Sequence, residues 1–255
     1  MEVLGIDIGG SGIKGAPVDV TTGKLAQERF KVATPRPALP EAVAAAVRTV
    51  AAEFSWSGPS GITFPGVVTR NIIRTAVNLD PAWIGVNGQD LFIGAAGLGD
   101  VYVLNDADAA GQAEMRFGAG VGEEGTVVML TFGTGIGSAL FTHGMLVPNT
   151  EFGHIEIRGK DAEKRASDRV RELHDLDWAH WAGRVDEYMS HLEALLWPDL
   201  FIVGGGVSRK SGKFLPLLDH LRARVVPAAM HNDAGIIGAA LAAAEAFATA
   251  EEPAT

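Results

Sequence analysis

Two short glycine-rich stretches carry the first chemical signal: Asp7-Ile8-Gly9-Gly10-Ser11 and Thr131-Phe132-Gly133-Thr134-Gly135. Bare backbone N–H groups in such turns form a nest for an anion, and an adjacent carboxylate can hold hydrated Mg²⁺ against phosphate oxygens. The first stretch offers Asp7, Gly9, Gly10, Ser11 and Gly12, with Lys14 beyond them, as phosphate ligands. It also offers Asp7 as a Mg²⁺ ligand acting through water, although an acidic residue that merely caps a turn would read the same way. The second stretch offers Thr131, Gly133, Thr134 and Gly135. One such loop is as readily an ordinary β-turn. Two, at matching places in the two halves of a chain, describe what a phosphoryl-transfer cleft needs. Gly10-Ser11-Gly12-Ile13-Lys14-Gly15 also spells the dinucleotide fingerprint, but residues 13–20 are β-branched and contain Pro17. They read as a strand, whereas that fingerprint must open a helix. No Walker A sequence occurs.

The elements that must position these loops follow a repeated plan. Residues 3–8 read as a buried strand, 13–20 as a second, and Thr21-Thr22-Gly23-Lys24 as a hairpin turn into a third at 25–32. The proline-rich stretch 34–40 precedes a helix at 41–53. A short strand and turn at 61–66, a loop at 71–83 and a short helix at 88–97 follow. The strand 101–104 then delivers Asn105 and Asp106 at its carboxyl end, before a helix at 107–117. In the second half a strand at 126–131, the second glycine loop and a strand at 138–142 repeat the opening. A charged helix at 161–174, an amphipathic one at 177–196 and a strand at 200–203 lead to Gly204-Gly205-Gly206. An alanine-rich helix at 235–249 closes the chain. The fold class expected is α/β, two similar lobes with a cleft between them. The domains are placed at 1–107 with the C-terminal helix at about 238–250, and at 108–237.

Composition bounds the alternatives. The 255 residues are 47% hydrophobic, with 31 acidic and 21 basic side chains, a net charge of −10 and no cysteine. Such a chain buries about 70–75% of its unfolded surface and needs no covalent staples. Thiolate zinc sites and a cysteine nucleophile are excluded. The acidic balance argues against nucleic acid. With no basic n-region and no apolar run of about 18 residues, the expectation is a soluble cytoplasmic protein without membrane partners.

At this point the motifs resemble one family. Leu4-Gly5-Ile6-Asp7-Ile8-Gly9-Gly10-Ser11 is similar to the first phosphate motif of the ROK sugar kinases, members of the actin-like, ribonuclease-H-like superfamily. Phe64-Pro65-Gly66-Val67-Val68 resembles their sugar loop, and Val77-Asn78-Leu79-Asp80-Pro81-Ala82-Trp83 their Asn-Leu…Trp segment. Asn105-Asp106-Ala107-Asp108 with Glu114 resembles the catalytic strand and helix, and Glu151-Phe152-Gly153-His154 the E-x-G-H hexose motif. The family's cysteine zinc cluster cannot exist here, so no zinc site is expected. The segment in its place, with Glu163 and Ser167, resembles the polyphosphate-using glucokinase branch. The resemblance implies an actin-like kinase fold and a homodimer. It also implies hexose ligands Asn78, Asn105, Asp106, Glu151, His154 and Glu163, and adenosine contacts at Gly204, Gly205 and Gly206 should ATP serve.

Phosphorylating a sugar hydroxyl needs a base, charge stabilisation and alignment. Asp106, at a strand's carboxyl end, is the expected catalytic base, with a helix N-cap as its structural alternative. The donor is read from charge. Residues 158–171 hold six basic and three acidic side chains, a local reversal on an acidic chain. Lys160/Lys164 and Arg165/Arg169, one helical turn apart in each pair, would line a polyphosphate track, with Arg70, Arg74 and Lys14 as weaker extensions; an ordinary solvated helix is the alternative. The expected activity is phosphoryl transfer from inorganic polyphosphate, with ATP as a second donor, to the 6-hydroxyl of glucose, with mannose as a second acceptor. The competing readings are an ATP-only hexose or N-acyl-hexosamine kinase and a sugar-sensing regulator. The regulator is disfavoured because the phosphate motif starts at residue 3, leaving no room ahead of it for a helix-turn-helix.

Overall fold

The computed structural model describes residues 1–76 and 79–251; Asn78 lies outside the described residues. The chain divides into two compact units, 1–113 with 233–255, and 114–232.

The first unit opens with β1 (Glu2–Ile8) and β2 (Gly12–Asp19), antiparallel partners in which Ile8 faces Ile13 across the glycine turn. The single strand expected at 25–32 is two, β3 (Lys24–Leu25) and β4 (Phe30–Ala33), both paired to β2. Pro17 explains the interruption. Ala26 N donates to Pro17 O at 2.8 Å, but proline has no N–H to return the bond, and the ladder slips there. Helix α1 (Pro40–Glu53) follows, starting on proline and burying Val43, Ala44, Val47, Val50 and Ala51 along one face. Then come β5 (Ser60–Phe64), a small hairpin of β6 (Val68–Thr69) and β7 (Ile72–Ile73), the latter inside the stretch expected as loop, α2 (Gly88–Ala96) and β8 (Val101–Asn105). The sheet runs β3-β2-β1-β5-β8, with β5 parallel to both β1 and β8. Trp83 packs against both Phe64 and Phe92 in its core, each fully buried and each contributing about 1.5–3 kcal/mol by burial. Helix α3 (Asp106–Phe117) leaves the end of β8.

The second unit repeats the plan. Strands β9 (Thr126–Phe132) and β10 (Ile136–Thr142) form an antiparallel hairpin, extended by β11 (Met145–Val147). Next come β12 (Glu156–Ile157), β13 (Lys160–Asp161), α4 (Glu163–Ala166), α5 (Asp168–Leu173), α6 (Trp178–Leu196, N-capped by Asp177), β14 (Leu200–Gly204) and β15 (Arg224–Pro227). The sheet order is β11-β10-β9-β14-β15, with β14 parallel to β9 and β15. The continuous charged helix expected at 161–174 is not formed. Its first residue, Asp161, belongs to the β12–β13 hairpin, and Ser167 is extended, at φ −64° and ψ 156°, between α4 and α5. The buried Trp181 indole accounts for the break, since its Nε1 donates to Ala166 O and Ser167 O at 3.0 and 3.3 Å. Ala166 O is thereby engaged outside a helical ladder, while Ser167 O also accepts from Val170 N and Arg171 N at 3.1 and 3.2 Å and so opens α5. Trp181 and Tyr188 on α6 are core residues packed on Phe132, whereas Trp197 is exposed under Arg222.

The chain then returns to the first unit as α7 (Ala234–Glu251). Its seat is a glycine pair facing across β1 and β5, Gly5 and Gly61. A Cβ at either would lie 1.9 Å from Ile236 O or 1.8 Å from Ala239 O, so only glycine lets the alanine-rich helix lie this close. No helix among the described residues is long and apolar enough to cross a membrane.

Candidate active site

In the first unit, Asp7 sits next to last on β1. Its Oδ1 accepts from Thr63 Oγ1 at 2.8 Å and its Oδ2 lies 3.1 Å from Lys14 Nζ, so Lys14 contacts the carboxylate beside the loop. The first turn of α7 lies against the same carboxylate: a Cβ on Gly235 would be 2.8 Å from Asp7 Oδ2. A helix start favours a negative group. The loop itself is closed by Gly9 N donating to Gly12 O at 3.0 Å, leaving Gly10 and Ser11 exposed.

Asn105 and Asp106 close β8 and open α3. Asn105 is buried and its amide is engaged: Nδ2 donates to Gly66 O at 3.1 Å, while Oδ1 accepts from Ala107 N and Asp108 N at 2.8 and 3.0 Å. The helix start thus has Asn105 as its cap. Asp106 is half-buried, and its Oδ1 accepts from Ala107 N at 2.9 Å. Arg74, expected as an extension of the basic track, instead donates to Thr69 Oγ1 at 2.6 Å.

In the second unit the glycine loop is one residue shorter than the first, closed by Gly133 N donating to Gly135 O at 3.0 Å, with Thr134 exposed and Thr131 on β9. Two flanking side chains or backbones touch it. Arg169 N donates to Gly133 O at 3.0 Å, and Glu163 Oε2 accepts from Ile136 N at 3.4 Å. Glu163 links this loop electrostatically to the E-x-G-H motif. Burial pushes the Glu151 carboxyl above its ordinary range, His154 pulls it back, and the neighbouring Glu163 charge raises it further. His154 lies 3.8 Å from Glu151 and 3.7 Å from Asp161, and Asp161 is bound by Lys164 at 2.7 Å. The hydrogen bond from Lys164 holds the Asp161 carboxyl below its usual range. A positioning residue absent from the sequence reading is Ser138. Its Oγ donates to Thr150 O at 2.7 Å and accepts from Phe152 N at 3.0 Å, clamping both neighbours of Glu151.

His154, Asp161 and Glu163 bring their donor atoms close enough to hold a cation, as do Asp186, Asp219 and His220, where the imidazole Nδ1 already binds both carboxylates. For Mg²⁺, Asp7 supplies one hard oxygen ligand already shared with a lysine and a threonine. That fits a metal held through its waters, not a protein cage.

Of the expected basic track, Lys160, Lys164 and Arg165 line one depression of about 580 Å³, together with Arg158, Arg184, His174 and Leu176. The grouping does not arise from helical spacing, because Lys160 stands on β13 and the Ser167 break separates Arg165 from Arg169. Arg169 belongs to the glycine loop instead. Arg184 and His174 were not expected there. Arg184 reaches in from α6, its guanidinium donating to Arg165 O at 3.2 Å. At Gly204-Gly205-Gly206 the chain leaves β14; Gly205 has φ +82°, and a Cβ on it would meet Phe132 O at 2.3 Å.

Comparison with known proteins places this geometry. The ROK family is matched over residues 3–171. A polyphosphate glucokinase of Mycobacterium tuberculosis is 54% identical over 239 residues, covering 94% of this chain and 90% of that protein. The crystal structure of an inorganic polyphosphate/ATP-glucomannokinase from Arthrobacter sp. strain KM superposes with a TM-score of 0.93 at 48% identity, covering 96% of this chain and 99% of the other. A ROK family glucokinase from Streptomyces griseus, in complex with glucose and AMPPNP, superposes at 0.80 with 27% identity, covering 96% and 100%.

Proposed function

The chain belongs to the ROK family, and from that premise we propose that it is a polyphosphate glucokinase, transferring the terminal phosphoryl group of inorganic polyphosphate to the 6-hydroxyl of glucose. Its fold class is the two-lobed, actin-like sugar kinase type of its structural relatives. The observation that carries the donor assignment is the depression holding five cationic side chains on a chain of net charge −10. A polyanion is the ligand such a surface selects.

Asp106 takes the base role. It accepts the 6-hydroxyl proton as the hydroxyl oxygen forms its bond to the terminal phosphorus and the bridging P–O bond to the rest of the chain breaks. Such a base contributes on the order of 10²–10⁴-fold. Glu151, His154 and Glu163 accept and donate to hexose hydroxyls, with Asn78 as a further ligand. Asn105, its amide committed to Gly66 and the start of α3, fixes the base and the sugar loop. The two glycine loops, with Asp7, Lys14, Thr131 and Arg169 beside them, hold the reacting phosphates. Mg²⁺ bound through water at Asp7 would neutralise charge on phosphate oxygens. ATP is the second donor, supported by the tight Gly204–Gly206 turn and by the polyphosphate/ATP enzyme among the structural relatives. A cytoplasmic homodimer accepting mannose as well as glucose completes the proposal. Formation of glucose 6-phosphate from glucose and long-chain polyphosphate without nucleotide tests it; no product under those conditions refutes it.

A further inference from the structure

Glu187 stands on α6 and binds two of the arginines that line the basic depression. Arg158 Nε lies 2.6 Å from Oε1 and the Arg165 terminal nitrogen 2.8 Å from Oε2, one guanidinium on each oxygen. The depression's own lining contains no carboxylate. Burial raises the Glu187 carboxyl, but the hydrogen bonds from Arg158 and Arg165 outweigh it and hold it below its ordinary range, so it is ionised at neutral pH. Lys164 is likewise paired, to Asp161. Lys160 and Arg184 have no carboxylate partner among the described residues. Five cationic side chains against two carboxylates leave three net positive charges, and Glu187 is one of the two that set this figure.

We propose that Glu187 is a resident counter-anion of the depression, occupying two guanidiniums that donor phosphates would otherwise engage, and so tuning the affinity for long polyphosphate. This rests on the polyphosphate reading above. Each guanidinium gives Glu187 one N–H that a phosphate oxygen could otherwise accept, and the carboxylate charge offsets their attraction for a polyanion, so the two anions compete. For Arg165, which is mostly covered, the carboxylate also spares a buried charge from being left unpaired when no donor is bound. The consequence is a weaker but more readily released polyanion, which suits a substrate that must leave shortened after each transfer.

The test is Glu187→Gln, which keeps shape and a hydrogen-bond acceptor but removes the charge. The KM for long-chain polyphosphate is expected to fall about three- to tenfold at low ionic strength. The dependence of log KM on log salt should steepen by about 0.7, one further ionic contact. The KM for glucose should stay put. Arg158→Gln should raise the polyphosphate KM, and the double variant Glu187→Gln/Arg158→Gln, which returns the net charge to its starting value, should come back toward the wild-type KM. An unchanged or raised polyphosphate KM in Glu187→Gln, with glucose kinetics intact, overturns the proposal; a raised value would make Glu187 a positioning residue for its arginines. Wild-type protein that phosphorylates glucose from ATP but not from polyphosphate instead overturns the reading on which the proposal stands.

Discussion

Neutralising Lys164 and Arg165 together, as Lys164→Gln/Arg165→Gln, should weaken polyphosphate use without touching glucose. The two side chains line the depression from α4, Lys164 largely exposed and Arg165 mostly covered. Removing both takes the local balance from three net positive charges to one. A charge about 5 Å from a phosphate at near-water dielectric is worth about 0.8 kcal/mol, and more for the partly covered arginine. Together they amount to about 2 kcal/mol, or about 30-fold in KM at low ionic strength. Because the term is electrostatic, it should shrink with salt, and the slope of log KM against log salt should drop by about 1.4, or 0.7 per lost contact. Initial rates with long-chain polyphosphate at saturating glucose, measured across a salt series, give both quantities. A KM and slope equal to wild type would refute the argument and return α4 to an ordinary solvated helix.

Asp106→Asn should lower kcat by about 10²–10⁴-fold while glucose still binds, as read by calorimetry; near-normal turnover would remove Asp106 from the base role. Glu151, raised by burial, should lose its ionised acceptor form at a higher pH than an ordinary glutamate, so the KM for glucose should climb as pH falls, and Glu151→Gln should flatten that rise. The same raised value means that protonating Glu151 favours the fold: its contribution is complete below the ordinary carboxylate pKa and is lost as pH rises through the raised one. The thermal midpoint of wild type relative to Glu151→Gln should therefore be higher in acid than at neutral pH. Gly205→Ala places a Cβ 2.3 Å from Phe132 O at a positive φ. It should cost about 2–3 kcal/mol, or about 5–10 °C in a thermal melt.

The parts of the fold that were legible in sequence are those governed by local periodicity. The two glycine hairpins, the strand ending at Asn105 and the alanine-rich closing helix all fall where their residues put them. What was not legible depends on partners distant in the chain. The break at Ser167 follows from an indole on α6, and the slip between β3 and β4 from Pro17 on the facing strand. One miss did have a local signal. Arg158 and Gly159 form a two-residue turn with both φ angles positive, at 53° and 76°, the hairpin type that glycine marks in Ile-Arg-Gly-Lys. Read that way, Lys160 would have been assigned to a strand. At the candidate site, the family resemblance named Glu151, His154 and Glu163 as hexose ligands, and the second unit brings these three near one another. Arg184, Glu187 and Ser138 carry no motif, and only packing shows what they touch.

The measurement that bears most directly on the central claim is kcat/KM for glucose phosphorylation with long-chain polyphosphate and with ATP, determined on the same preparation under the same ionic conditions. The account predicts robust transfer from polyphosphate, sensitive to salt, with ATP as a second donor. Transfer from ATP with none from polyphosphate would contradict it.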